Sequence, residues 1–440
     1  MSVFKRAAIC SAALAFSVSA SAATLEEVVS KTISTNPDVL AAINERLSRD
    51  HEIDVAKAGY LPTVDLSAGY GYEKSNNSTT RSRGEDYDTR SRGEAAVDMR
   101  QMLFDGFATQ SEVERQTART ESSAYSVYGT SENIARDAAE AYMNVLRDRG
   151  LLAFAEENNA AHERVHDQIK KRSRRGVGRK AELDQTEGRM ALSKSNVIAA
   201  QNNLRNSETE YVRVVGSLPD LDLVKPANRS GDLPTSIDDA AQVAVDNNPT
   251  LKSAGADVQA AVAQYEAAKA NFYPRFDVEV GQSWNNDLDG QPGTNEDVTA
   301  MLRMRYNLVN GGADMARRKQ TAYLINQAKE VQNLAHRQVV EATQLAWNTY
   351  KAVDLQYGYL QQHVDSQGKT LSAYQKQFNI GQRTLLDVLD AENEMFEAQQ
   401  ELLNAEYDRL IAQVRILATM GNLLQSLQIS LPAEATVAQK

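Results

Sequence analysis

The chain has 440 residues and a formal net charge of −11, with 59 acidic against 48 basic side chains. That balance excludes general nucleic-acid binding, which needs a basic face against phosphate. The lone cysteine, Cys10, excludes a disulfide framework or a cysteine metal centre, and a mean hydropathy of −0.49 argues against membrane-spanning helices.

At the N-terminus, Lys5 and Arg6 precede an apolar run from Ala7 to Val18, and Ala20-Ser21-Ala22 supplies a small-x-small cleavage pattern. A secretory signal over residues 1–22 is expected, with export to the periplasm, the outside or an outer membrane. Cys10 lies inside that signal and no lipoprotein box precedes it, so no lipid anchor is expected. Further on, aromatics are sparse while Ala, Gln, Asn and Glu are plentiful, a composition of long helices.

The chain then repeats itself. Asn36-Pro37-Asp38-Val39-Leu40 returns as Asn248-Pro249-Thr250-Leu251-Lys252, and Gly59-Tyr60-Leu61-Pro62 as Asn271-Phe272-Tyr273-Pro274. Leu103-Phe104-Asp105-Gly106 answers Leu308-Val309-Asn310-Gly311, and Gly178 with Asp184 answers Gly381 with Asp387. Two copies of one helix-strand-strand-helix unit are expected, over 23–235 and 236–440, with a linker near 217–235.

Each unit is expected to open on a helix with an Asn cap and a proline at its first position, running to Gly59 or Asn271. The period then changes from helical to two, predicting strands near 63–73, 94–103, 275–285 and 297–307. Val64, Leu66, Ala68, Tyr70 and Tyr72 alternate with polar or small residues, as do Val298, Ala300, Leu302, Met304 and Tyr306. Apolar-out, polar-in strands of about ten residues are the signature of a transmembrane barrel. A soluble half-buried sheet would instead have to bury charge at nearly every inward position.

Long helices follow, roughly Thr109 to Arg172 and Ala313 to Gln377, each on the order of 90 Å if continuous. A glycine turn and a returning helix come after each. In the second return, Leu389, Phe396, Leu403, Leu410, Leu417 and Leu424 recur every seventh residue, which predicts a supercoiled hairpin. The predicted fold is therefore mainly α, with coiled-coil hairpins forming an α-barrel and four strands contributing to a transmembrane β-barrel. Four strands cannot close a barrel and open edges are not tolerated in lipid. Three chains would supply twelve strands, and a homotrimer is the expected assembly.

The stretch that organises the rest is Phe378 to Phe396, FNIGQRTLLDVLDAENEMF. Asp387 and Asp390 are three residues apart and share one helix face. If copies of this helix meet around an axis, these carboxylates form rings in a passage. The plain alternative is a solvated helix N-terminus, where acids are favourable anyway.

With the duplicated unit and the segment from Gly381 to Arg409 in view, the chain resembles the TolC family of outer-membrane channel-tunnel proteins. The wording TLLDVLDAENEMF is most similar to the type I secretion branch, which includes exporters of large adhesins. The resemblance implies a trimer with a β-barrel in the outer membrane, an α-helical tunnel across the periplasm, and an equatorial domain built from the linker and the terminal segments. It also implies work with a periplasmic adaptor and an inner-membrane ABC transporter or efflux pump, and no catalysis or cofactor of its own. By position, Asp387 and Asp390 match the acidic, cation-selective constriction at the periplasmic entrance, and Arg383 matches an arginine that ties the coiled coils shut. Phe378 departs from the family, which has a latch tyrosine there.

The first hairpin tip is strongly basic: Lys170, Lys171, Arg172, Arg174 and Arg175 lead into Gly178. Its two readings are a solvated face and, with Gly178 and Gly381, an adaptor-docking surface. Two rival motifs also occur. His162-Glu163-Arg164-Val165-His166 fits the HExxH of a zinc metalloprotease, with Glu182 or Glu187 as a third ligand, but lies in a hydrophilic coiled-coil stretch with no sheet to make a dry cleft. Asn285, Asp287, Asp289, Gly290 and Glu296 fit the spacing of a calcium loop, but strands flank it and Pro292 interrupts it, which favours an ordinary turn. No metal site is expected from either.

Overall fold

The computed structural model describes residues 23–175 and 179–436. The expected signal over residues 1–22 lies outside them. The first half runs through α1 (Leu25–Thr35), α2 (Pro37–Lys57), β1 (Thr63–Ser75), a short α3 (Ser78–Ser82), β2 (Asp88–Phe104), α4 (Ala108–Arg174) and α5 (Lys180–Val215). The second runs through α6 (Ile237–Asn247), α7 (Pro249–Lys269), β3 (Arg275–Asn286), β4 (Thr294–Arg305), α8 (Ala313–Asn379), α9 (Leu385–Thr419) and a short α10 (Leu423–Ser426). Helix lengths recur: 11 residues in α1 and α6, 21 in α2 and α7, and 67 in α4 and α8.

A helix precedes each Asn-Pro pair, one element earlier than the sequence reading placed the start. α1 is opened by a capping box between Thr24 and Glu27, and α6 by Ser236, whose hydroxyl accepts from the Asp239 amide. Asn36 and Asn248 are then joints rather than beginnings, each ending one helix and capping the next. Asn36 Oδ1 accepts from the Asp38 amide at 2.9 Å while its Nδ2 donates to the Val214 carbonyl at 3.0 Å, near the end of α5. Asn248 does the same with the Thr250 amide and the Thr419 carbonyl, both at 2.8 Å. One side chain thus caps a helix and fastens it to the end of the returning helix of its own half. Loss of such a cap alone typically costs about 1 kcal/mol.

α4 and α8 are continuous, on the order of 100 Å each, and fold back on α5 and α9 as antiparallel hairpins. The heptad of α9 faces inward: Leu389, Phe396, Leu410 and Leu417 are buried and Leu403 packs against the core. Gly150 of α4 makes room for that stripe, since a Cβ there would come within 2.7 Å of Leu403 Cδ2.

The densest core lies midway along the long helices, where Tyr142, Met143, Tyr211, Ile416, Leu417, Leu423 and Leu424 are fully buried. The linker and the start of the described chain are bound to it. Ala23 bridges to Leu223, and the Tyr142 hydroxyl lies 2.8 Å from the Ala23 carbonyl oxygen and 2.6 Å from that of Val224. Arg229 joins Glu26 of α1 at 2.5 Å to the Ser426 carbonyl of α10 at 2.6 Å.

The four strands make one antiparallel meander in the order β1-β2-β3-β4. Register places Val64, Met99, Val280 and Ala300 in one row, and Leu66, Val97, Gln282 and Val298 in the next. This face is open, with Leu66 at 77% and Tyr70 at 79% exposure. The opposite face carries Arg100, Arg275, Asp277, Glu279, Arg303 and Arg305, linked by ion pairs such as Arg305 to Asp277 at 2.7 Å and Arg100 to Glu279 at 3.3 Å. β2 begins at Asp88, before the expected position near 94, because Arg92 pairs with Glu73 across the ladder at 2.9 Å and holds a polar stretch in strand form. Among the described residues no helix is long and apolar enough to cross a membrane.

One buried acid fastens α10 to α4. Glu132 is 2% exposed, and its carboxylate accepts from the Leu423 and Leu424 amides at 3.0 and 3.2 Å, while Tyr128 donates to the Gly421 carbonyl beside it. Burial pushes the Glu132 carboxyl up to about 7 against the pull of the two amides. A raised folded-state value favours the protonated form, so the stability it contributes is full below about 4.5 and is lost as pH rises through about 7. The stability difference between wild type and Glu132→Gln is expected to fall by about 3 kcal/mol per chain from pH 4 to pH 8. Denaturant midpoints of the two proteins across that range check it; a constant difference refutes the assignment.

Candidate functional site at the helical tip

The α8–α9 turn is built by local backbone chemistry. Gly381 adopts φ of 77°, a left-handed conformation that glycine takes without a Cβ penalty. Its amide donates to the Phe378 carbonyl at 3.0 Å and the Gln382 amide to that of Gln377 at 2.9 Å, the Schellman pattern that ends a helix. Thr384 then starts α9. Its hydroxyl accepts from the Asp387 amide at 3.3 Å, and Asp387 Oδ2 accepts in return from the Thr384 amide at 3.0 Å and hydroxyl at 2.8 Å.

Asp387 is therefore first of all part of a capping box. The Thr384 hydroxyl and amide hold its carboxyl below the ordinary aspartate value, and Arg383, 3.8 Å away, adds to that. Asp390 stands differently. It is exposed, and its Oδ1 meets Nη2 of Arg189, on α5, at 2.5 Å. The two carboxylates share a face of α9, but one serves its own helix and the other reaches the neighbouring hairpin.

Arg383 lies against its own hairpin. Its guanidinium stacks 4.1 Å from the ring centre of Tyr374, and its Nε donates to Gln377 Oε1 at 3.1 Å. Phe378 is half-buried, so the aromatic hydroxyl nearest this turn belongs to Tyr374, one helical turn earlier. Tyr374, Thr384 and Arg189 are the tip residues that sequence reasoning missed. Thr384 was legible as a Thr-x-x-Asp cap. Two residues past Asp390, Glu392 faces Gln375 and Arg164; its Oε2 has no hydrogen-bond partner, and burial raises its carboxyl.

In the first hairpin, Lys171, Arg172, Arg174 and Arg175 are exposed and Lys170 is half-buried. Positive charge in the last turn of α4 is favourable against the negative end of the helix dipole. Gly178 lies outside the described residues. His162 and His166 are both buried on α4, and burial, with Arg189 nearby, lowers the His162 value. His166 Nε2 lies 3.7 Å from Glu187 Oε1, while Glu163 pairs with Lys194 at 3.2 Å. Among the described residues no three His, Cys, Asp or Glu side chains converge as a metal site. The HExxH face packs into the α4–α5 coiled coil rather than lining a cleft. In the β3–β4 turn, Asp287 accepts from the Gly293 amide at 2.8 Å and Glu296 lies in β4 opposite Trp284, and among the described residues the acidic side chains of the calcium-like spacing do not converge.

A family model described as Outer membrane efflux protein matches residues 28–217 and 240–422. The chain belongs to the outer membrane efflux protein family. It is thus an outer-membrane protein of TolC type. Outer membrane efflux protein BepC of Brucella suis is 26% identical over 85% of this chain and 80% of its own length. Outer membrane protein TolC of Escherichia coli is 25% identical over 93% and 84%. Alkaline protease secretion protein AprF of Pseudomonas aeruginosa is 22% identical over 87% and 81%. Among solved structures, a crystal structure of CusC superposes with a TM-score of 0.77 at 17% identity, covering 90% of this chain and 92% of that one. That likeness establishes the fold of this outer membrane efflux family member.

The capping box carries its own test. In Thr384→Ala, amide exchange in the first turn of α9 is expected to accelerate and the Asp387 carboxyl to titrate closer to an ordinary aspartate. The low folded-state value means that the stability the box contributes is full above the ordinary aspartate range and is lost as pH falls below that range and through the lower, folded-state value. Exchange rates that match wild type at neutral pH would show that the box does not order the turn.

Proposed function

We propose that this protein is the outer-membrane duct of a tripartite type I secretion system. Three copies close the barrel and the tunnel; a periplasmic adaptor joins them to an inner-membrane ABC transporter, and protein cargo passes out without catalysis by the duct. The sheet carries this reading. Its apolar face is exposed, its opposite face is charged, and β1 and β4 each leave an edge that only further strands can satisfy in lipid. The similarity to AprF, an alkaline protease secretion protein, supports secretion, while those to BepC and CusC, efflux proteins, support efflux as the second reading.

In this reading the tips face the periplasm, and Asp387 and Asp390 from three chains form the cation-selective constriction. Like charges about 6 Å apart repel by roughly 1 to 3 kcal/mol at an effective dielectric near 20, so such a ring attracts cations. Arg383 and Phe378 belong to the latch. Lys170, Lys171, Arg172, Arg174 and Arg175, with Gly178 and Gly381, present the adaptor with a basic surface. Opening is an untwisting of the α8–α9 hairpin.

Purified protein in planar bilayers is expected to give small, cation-selective currents that multivalent cations block. Asp387→Ala/Asp390→Ala is expected to lose both the selectivity and the block. A folded trimer without conductance would remove the duct, whereas conductance with unchanged selectivity in the variant would remove the acidic gate alone.

A further inference from the structure

The contact between Arg189 and Asp390 bridges two helices that otherwise stand apart. Away from the turn, α5 and α9 line a cleft of about 370 Å³, with Leu192, Asn196 and Asn203 from α5, Asn393 and Phe396 from α9, and Leu151 from α4. The ion pair closes its tip end. The other ion pairs from α9 to the first hairpin, Arg147 to Asp408 at 3.8 Å and Glu140 to Arg415 at 2.7 Å, lie far along α9 toward the central core. From Asp390 to Asp408 is roughly 27 Å of helix. Over that length Arg164 of α4 faces Glu392, and Arg189 makes the outermost ion pair between the hairpins among the described residues.

We propose that Arg189 is a positioning residue for the gate, the counter-ion that clasps α9 to α5 and cancels the Asp390 charge in the arrangement seen here. Moving α9 away from α5 breaks the clasp and hands a bare carboxylate to the passage. Mechanical opening and cation selectivity are then one event. The proposal rests on the gate reading of Asp387 and Asp390, and it differs from the latch that the resemblance assigns to Arg383, whose contacts stay within its own hairpin. Arginine suits the role because its planar fork of N–H donors matches the geometry of a carboxylate. Side-chain exposures of 26% and 53% leave the pair in contact with water, so it remains breakable.

Conductance and magnesium block in planar bilayers test it, with trimer assembly checked by size-exclusion chromatography. Arg189→Ala is expected to raise the conductance several-fold and tighten the block, while Arg189→Lys, which keeps the charge, stays near wild type. Asp390→Ala is expected to raise conductance but weaken the block, and adding Arg189→Ala to it should change nothing further. Wild-type behaviour in Arg189→Ala, combined with altered selectivity in Asp387→Ala/Asp390→Ala, overturns the clasp and leaves the gate reading standing. Unchanged selectivity in Asp387→Ala/Asp390→Ala overturns both. If Arg189→Ala does not assemble, the exchanged pair Arg189→Asp/Asp390→Arg decides: wild-type conductance with cation selectivity lost supports the clasp, and raised conductance overturns it.

Discussion

The unpaired edges of β1 and β4 are the constraint on which the rest of the structure depends. In hydrocarbon an unsatisfied backbone N–H or C=O costs several kcal/mol, and these edge strands are 13 and 12 residues long. No arrangement of one chain can meet that cost, because β2 and β3 already occupy each other and the inner sides of the edges. Closure by further copies follows from the backbone alone. The helices carry the same demand. Tyr323, Val331, Leu334, Leu345, Leu355 and Tyr359 leave large apolar side chains exposed along α8, at places where a lone coiled-coil hairpin has nothing to cover them.

Given that constraint, duplication is a direct way to build the chain. Each half supplies one pair of strands and one long hairpin, and Asn36 and Asn248 repeat the same joint between an opening helix and the end of its returning helix. The halves diverge where the chain meets its surroundings. The first tip carries a run of basic residues at the end of α4, whereas the second has the glycine-ended, threonine-capped turn bearing Asp387 and Asp390. A ring of alternating tips would therefore alternate in charge, although the helices beneath them match in length.

Periodic features were legible in the sequence because each is a local signal repeated many times. The two-residue alternation marked four strands, and the seven-residue leucine repeat marked the buried stripe of α9. Single decisive contacts were not. Arg189 and Asp390 are 201 residues apart, and they meet only because of how two hairpins are placed side by side. The polar start of β2 fell outside the expected strand near 94–103 because the partner of Arg92, Glu73, lies on another strand. Motif spacing had to be read with its context: the HExxH intervals fall in a hydrophilic coiled-coil stretch, where both histidines are buried, and the calcium-like intervals run into a strand, where Glu296 lies opposite Trp284.

The distribution of paired charge also separates the two ends of the proposed passage. On the charged face of the sheet, Arg303 and Arg305 meet Glu279 and Asp277 at 2.5 and 2.7 Å, so positive and negative charge largely cancel there. In the duct reading, a barrel lined in this way discriminates weakly by charge. At the tip the acidic groups have few partners: the Thr384 cap and Arg383 for Asp387, and the half-buried Arg189 for Asp390. A field that depends on so few contacts changes as soon as α9 moves. In the gate reading, selectivity therefore belongs to the part that opens, and the barrel can stay rigid while the tunnel changes state.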